Sequence, residues 1–296
     1  MAQSEEDIIV LSGHGYDKLG PYLLVNHVHA KTQERLHIWN TTFSLTKLPR
    51  KFCTGWFDFK TYASHACDNE QEMLGDSKFT DCSVCQEKTG FNPAFYNAET
   101  ISAQQREYNQ TPHFVYMAYF APDFLKVGIS SETRGLERLL EQGARAAAVM
   151  GRFPNADEAR ELEAYLCSQE GIFETMRASK KTELFAETIF NYEEAKKAME
   201  KKAAEFDIHP EIYWDFTPYY FGGLAPKAGT LHVAPNASDT VCGGRCIGLV
   251  GTTIVFQQNG ENFPIDLKSW KGHAIQFDLD QVLIEYEASD TQMFLC

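Results

Sequence analysis

Four cysteines in the first third of the chain are the residues best spaced to do chemistry. Cys53 and Cys67 precede a Cys-Ser-Val-Cys word formed by Cys82 and Cys85. A CxxC pair lets two thiolates converge on one tetrahedral metal from a single turn, so the group predicts a zinc-knuckle site with Cys53, Cys67, Cys82 and Cys85 as ligands. Four protein ligands leave no position open for water, which makes the expected zinc structural. His65, two residues before Cys67, is an alternative ligand. Two other readings compete: four buried free thiols, or a redox dithiol, although the strand-to-helix setting of that motif is missing. Cys242 and Cys246 in "CGGRC" read as a turn with two incidental thiols, Cys167 stands alone, and Cys296 is the last residue.

A second constellation lies between residues 113 and 170. "HFVYMAYFAPDFLKVGIS" reads as two strands joined by a tight turn, with Tyr116 in the first and Lys126 just before the Val-Gly of the second. "RGLERLLEQGARAAAVMG" predicts a helix with Leu136, Leu139, Leu140 and Ala144 at helical spacing, interrupted by Gly143 and stopped at Gly151. "NADEARELEAYLCSQEG" predicts a second helix, capped by Asn155 with Glu158 three residues on and ended by Gly171. On that helix Ala159, Leu162, Glu163 and Leu166 fall on one side, which puts Glu163 on or beside the buried face. A carboxylate there is costly unless it is paired, protonated or bound to a metal. Glu163 is therefore either a metal ligand or half of a buried pair, with Arg138 as partner. His113 reads as an exposed residue opening its strand. Tyr119, three residues beyond Tyr116, belongs to the opposite face.

The order of these parts resembles the GIY-YIG nuclease domain. "VYM" at Val115-Tyr116-Met117 stands where that family has its first motif, and "KVG" at Lys126-Val127-Gly128 where it has its second. Arg138 in "LERLLEQ", with Arg134 as the other candidate, matches the family's helix arginine, and Glu163 in "EARELEAYL" its metal-binding glutamate. The resemblance implies a catalytic set of Tyr116, Lys126, Arg138 and Glu163. Glu163 would hold one divalent ion, Mg2+ or Mn2+, to polarise a phosphate oxygen, Tyr116 would activate or position water, and Arg138 would neutralise charge growing on phosphorus. Lys126 stands in place of a tyrosine and can bind phosphate as a point charge, or serve as a base if desolvation lowers its pKa. The layout as a whole also resembles a family of uncharacterised bacterial proteins that pairs such a domain with a cysteine cluster and a β-rich tail.

The elements that must position these residues follow from pattern. Across 296 residues the composition is 44% hydrophobic and 23% charged, as in globular proteins. No apolar run approaches the ~20 residues that span a bilayer. The acidic start "MAQSEEDIIVLSGHG" lacks the basic region of a signal peptide, so a cytoplasmic protein with reduced thiols is expected, with no membrane partner. A net charge of −14 argues against broad binding to phosphate backbones but permits a local basic cleft for nucleic acid. The expected fold class is α+β: a small central GIY-YIG-like sheet with flanking helices, a zinc-knuckle region, and β-rich N- and C-terminal segments. Expected boundaries are 1–52 for the N-terminal strands, 53–110 for the cysteine region and linker, 111–207 for the central domain and 208–296 for the β-rich tail. Gln258-Asn259-Gly260 signals a hairpin in the tail, and "NYEEAKKAMEKKAAEF" a third helix with a solvated face.

The expected function is metal-dependent phosphodiester hydrolysis of nucleic acid, as an endonuclease. Aromatics at Phe52, Trp56, Phe57, Phe59, Tyr62, Phe91, Phe95 and Tyr96 offer stacking platforms or pack a small metal-stapled core. The alternatives are small-molecule or nucleotide chemistry on the same fold, and a non-catalytic RNA- or protein-binding module.

Overall fold

Strands at the two ends of the chain make one sheet. In the computed structural model, which describes residues 7–90, 101–188, 190–222, 231–232 and 240–286, the chain opens with β1 (Ile9–Asp17), β2 (Gly20–His27), β3 (Thr32–His37) and the long β4 (Thr42–Phe52). The cysteine region follows as β5 (Trp56–Asp58), β6 (Ala63–His65), β7 (Glu72–Met73) and α1 (Ser83–Thr89), then α2 (Ala103–Asn109). The central part is β8 (His113–Ala121), β9 (Phe124–Ser131), α3 (Glu137–Gln142), β10 (Ala146–Phe153), α4 (Ala156–Cys167), β11 (Ile172–Phe173), α5 (Ala178–Glu187), α6 (Tyr192–Ala204), β12 (Tyr213–Asp215) and α7 (Thr217–Phe221). The tail is β13 (Val241–Val250), β14 (Thr253–Gln258), β15 (Glu261–Asp266) and β16 (His273–Leu279).

The larger sheet runs β15-β14-β13-β4-β16-β1-β2-β3, with β7 added on β4. β4 is inserted between two tail strands, pairing Thr42–Thr46 with β13 and Phe43–Lys51 with β16. Its core packs Phe43, Phe256, Phe263 and Trp270 among aliphatic residues. The smaller sheet runs β11-β9-β8-β10-β12. Every residue of β8 is buried, as expected of a central strand covered on both faces. One face, carrying Val115, Met117 and Tyr119, is covered by α4 and α6 through Ala159, Leu166, Ala195 and Met199. The other, with Phe114, Tyr116 and Phe120, meets α3, α5, α7 and the larger sheet at Val250 and Val255. Tyr16 and Tyr220 pin the sheets together. Their rings meet edge-on at 5.4 Å, the Tyr16 hydroxyl donates to Leu249 O, and that of Tyr220 to Ala144 O at 2.7 Å.

The molecule is thus a sheet-rich mixed α/β protein with a buried four-cysteine cluster. Among the described residues, no helix is long and apolar enough to cross a membrane, and the seven cysteines among them are free thiols.

Local chemistry explains where expectation and structure agree. Asn155 caps α4 by accepting from Glu158 N–H at 2.9 Å, while the Glu158 carboxylate returns to the Asn155 side-chain amide. Asn259 and Gly260 turn the β14–β15 hairpin with φ of 50° and 88°, the left-handed pair such a two-residue turn requires. Four readings need correction. The long helix expected over "RGLERLLEQGARAAAVMG" stops at Gly143, in the left-handed conformation at φ 72°, and Ala146–Phe153 is strand β10 instead. Alanine favours helix in isolation, but here Ala146–Ala148 fit between β8 and β12, where bulkier residues would part the layers. "CGGRC" is not a turn: Cys242 and Cys246 sit inside β13, fully buried in the core of the larger sheet. Within the tail expected to be β-rich over 208–296, Gln281–Tyr286 form no strand. Helix α5 was not anticipated at all.

Candidate functional site

The cysteine cluster is assembled from three local features. β4 delivers Cys53 at its end, the β6–β7 connection delivers Cys67, and α1 presents Cys82 as its N-cap residue and Cys85 one turn on. All four Sγ atoms lie within 4.8 Å of one another, and Cys67 and Cys82 are 3.9 Å apart. Zinc–sulfur bonds of ~2.3 Å in a tetrahedron demand S···S edges of ~3.8 Å, so the set fits a metal. Backbone N–H groups of Cys82 and Gly55 point at Cys53 Sγ, at 3.1 and 3.4 Å, a setting that suits thiolate. Burial pushes the Cys53 thiol up to about 12 and raises Cys85 too. At Cys67 burial also pushes upward, but the N–H groups of Gln71 and Asn69, together with Cys53 and Cys85, outweigh it and lower the thiol. His65 lies outside the set and stacks on Trp56 at 4.3 Å.

The second constellation centres on the paired strands β8 and β9, with α3 on the Tyr116 face and α4 packed on the other. Tyr116 pairs with Gly128 and Ala118 with Lys126. Directly opposed residues share a face, so Tyr116 and Lys126 rise from the same side. Gly128 is there because the phenol lies across it: a Cβ would come within 2.6 Å of the Tyr116 hydroxyl. The Arg138 guanidinium is the charge felt most strongly at that hydroxyl, followed by Glu163 and Arg134. Arg134 is committed elsewhere, with both Glu141 oxygens 2.7 Å from its Nη2. That leaves Arg138 as the guanidinium available beside Tyr116.

Glu163 has no ion pair or hydrogen bond among the described residues. Burial raises its pKa against the opposing charge of Lys126, and Glu174 raises it further. Burial lowers Lys126, reinforced by Arg138 and opposed by Glu163. The Lys126 ammonium reaches only the Val127 carbonyl, at 3.5 Å. Burial likewise raises Tyr116 and pushes Cys167, beside Glu163 and Glu174, up to about 11. Tyr116 and Lys126 thus share a face, and the charges of Lys126, Arg138 and Glu163 are felt by one another without a closed ion pair among the described residues. The anticipated buried Glu163–Arg138 pair does not form within 4 Å. His113 is buried rather than exposed, with its Nδ1 2.7 Å from Thr111 O and its ring edge-on to Tyr108. Tyr119 points to the opposite face, as its spacing requires.

Several residues here carried no sequence signal. His14 on β1 lies between α3 and the tail, with an enclosed Nε2 that has no hydrogen-bond partner among the described residues. Lys181 on α5 donates to Gln142 O at 2.8 Å and to its side-chain oxygen at 3.2 Å. They come from segments far apart in the chain, and no local pattern links them. Of the expected aromatics, Phe57, Phe59 and Tyr62 wall a cavity with Tyr108. Phe52 is buried in the sheet, and Phe91, Phe95 and Tyr96 lie outside the described residues.

Comparison with curated proteins and with solved structures finds no match. A family described as protein of unknown function (DUF2797) matches over residues 60–275, most of the chain, with the second constellation and all of the cysteine cluster except Cys53. This corrects the resemblance to GIY-YIG nucleases, which rested on short words around Tyr116, Lys126, Arg138 and Glu163.

The His14 environment sets a pH dependence. Burial lowers its pKa from 6.5 to about 4, with Glu141 opposing, Lys271 reinforcing and Asp266 opposing. Between those values the unfolded chain takes up a proton that the folded protein refuses. The stabilisation is complete above pH 6.5 and is lost as pH falls toward 4, by up to ~3 kcal/mol. Urea unfolding at pH 7 and pH 5 should show wild type losing more stability on acidification than His14→Gln. Equal losses would mean that this ring titrates normally.

Proposed function

This chain belongs to the DUF2797 family of proteins of unknown function, and on that premise we propose that it is a metal-dependent phosphodiesterase acting on nucleic acid. The observation that supports the reading is that Glu163, left without an ion pair or hydrogen bond among the described residues, lies within electrostatic influence of Tyr116, Lys126 and Arg138. A half-buried carboxylate is costly without a partner, and the neighbouring Glu174 adds to that cost. Both features suit Glu163 as the ligand of Mg2+ or Mn2+, ions that keep several waters and take only one or two carboxylates. Such an ion supplies positive charge to a phosphate oxygen.

The chain's own residues supply the rest. Arg138 offers a planar guanidinium for two phosphate oxygens, and its charge is most valuable as negative charge builds on them. Tyr116 keeps its proton, because burial raises its pKa, so its hydroxyl orients the attacking water by hydrogen bonding. Lys126, whose pKa burial and Arg138 lower, is the acceptor for the water's proton when its amine is neutral. This assignment moves the base from Tyr116 to Lys126. The cysteine cluster holds structural zinc, which fixes β4, the β6–β7 connection and α1 to one another. Free thiols throughout the described cysteines favour a cytoplasmic location. The chain's net charge of −14 supports a second reading, in which the phosphate ester is a small molecule rather than a polymer.

Two measurements test these roles. Purified protein with Mg2+ or Mn2+ should cleave DNA or RNA, and Glu163→Ala should reduce the rate by at least ~100-fold. Cleavage persisting in that variant would remove Glu163 from the site. Metal analysis should find one zinc per chain, lost in Cys82→Ser together with a lower melting temperature. Wild type carrying no zinc would end the structural-metal reading.

A further inference from the structure

A cavity of about 640 Å³ opens between the larger sheet and helices α3 and α5. That volume lies in the range of small-ligand sites. Its lining gathers cations from separate segments: Arg138 on α3, Lys181 on α5, and Lys268 and Lys271 beyond β15. Leu24 and Met176, both only partly buried, add apolar wall.

The elements that carry these cations are tied together. Lys181 donates to Gln142 O at 2.8 Å and to its side-chain oxygen at 3.2 Å, which holds the ammonium at a fixed point of the wall. Asp266 accepts from the Thr252 hydroxyl at 2.6 Å and from Lys268 N–H at 2.9 Å. The β13–β14 turn is thereby joined to the segment of Lys268 and Lys271. Gly143 and Gly251 bring the end of α3 against the same turn. Both are left-handed, at φ 72° and 57°, and a Cβ on Gly251 would meet Gly143 N at 3.0 Å.

Counter-charge is short. Glu141 is the carboxylate of the lining, and Arg134 takes up both of its oxygens at 2.7 Å. Among the described residues, Lys181, Lys268 and Lys271 have no carboxylate within 4 Å, and Arg138 has Glu141 at 3.9 Å. Burial, and then the Lys126, Arg138 and Lys268 cations, push the Lys181 pKa down to about 8 against the pull of Asp266. Burial keeps His14, on the same wall, at about 4, so its ring is neutral and the charge of the cavity is that of its arginine and lysines. Cations gathered with so little opposing charge repel one another, and an anionic ligand relieves that repulsion.

We infer that this cavity binds a small organic phosphate monoester, its phosphoryl group among Arg138, Lys181, Lys268 and Lys271 and its organic part against Leu24 and Met176. A phosphoryl group carries about two negative charges and several acceptor oxygens, so it engages more of these donors at once than a carboxylate does. The chain's net charge of −14 disfavours long polyanions and leaves a small ligand as the anion that enters. Binding here requires neither Glu163 nor a divalent ion, so the inference stands apart from the phosphodiesterase reading.

The test is isothermal titration calorimetry of the full chain as purified, in chelator-free buffer without added divalent ions. The probes are phenyl phosphate, inorganic phosphate and phenol, and metal content is measured before and after titration to verify that the cysteine cluster is undisturbed. Wild type should bind phenyl phosphate at a single site, about 10-fold or more tightly than inorganic phosphate, and should not bind phenol. The double variant Lys268→Gln/Lys271→Gln, at exposed positions, should weaken phenyl phosphate by about 10-fold or more, and each single substitution should take part of that loss. Absence of phenyl phosphate binding, equal affinity for inorganic phosphate, or wild-type affinity in lysine variants whose circular dichroism matches wild type would overturn the inference.

Discussion

Charge that burial leaves without a partner is the constraint on which the rest of this molecule turns. Glu163 and Lys126 are both drawn toward their neutral forms by desolvation, each opposed by the other's charge. A protein selected for stability alone would close them into an ion pair or replace them with apolar residues of similar size. Here each feels the other's charge without closing to 4 Å, and among the described residues the Arg138 guanidinium has one carboxylate within reach, Glu141 at 3.9 Å. Cost left uncompensated in the resting protein is the usual mark of a site whose missing partner is a ligand.

The scaffold serves that arrangement. Gly128 gives up its side chain so that the Tyr116 phenol can lie across β9. The α3 helix is short because Gly143 ends it, and the Tyr220 hydroxyl, bonded to Ala144 O, holds the turn that follows. Arg138 is thereby fixed on one turn of helix between the two sheets. Insertion of β4 between β13 and β16 ties the N-terminal strands to the tail, and the same strand runs on to Cys53. The cysteine cluster is thus continuous with the larger sheet and adjoins the aromatic cavity through β5 and β6.

What the sequence disclosed depended on how local each feature was. The cysteines, the Tyr116–Lys126 strand pair, the Asn155 cap and the Asn259-Gly260 turn are written within a few residues each, and all were legible. The Ala146–Ala148 stretch was not, because its strand conformation comes from neighbours on both sides rather than from alanine's own preference. His113 was misjudged because its burial is imposed by Tyr108 on a separate helix. The cationic cavity could not be read at all: His14, Arg138, Lys181 and Lys271 are brought together only by the union of the two sheets. Family membership corrected the GIY-YIG resemblance.

The most direct test of the central claim is where a divalent ion binds. Crystals of the wild-type protein soaked in Mn2+ should give an anomalous scattering peak beside the Glu163 carboxylate, facing Tyr116 and Arg138. A Glu163 side chain closed onto Lys126, with no peak near it at saturating Mn2+, would contradict the account.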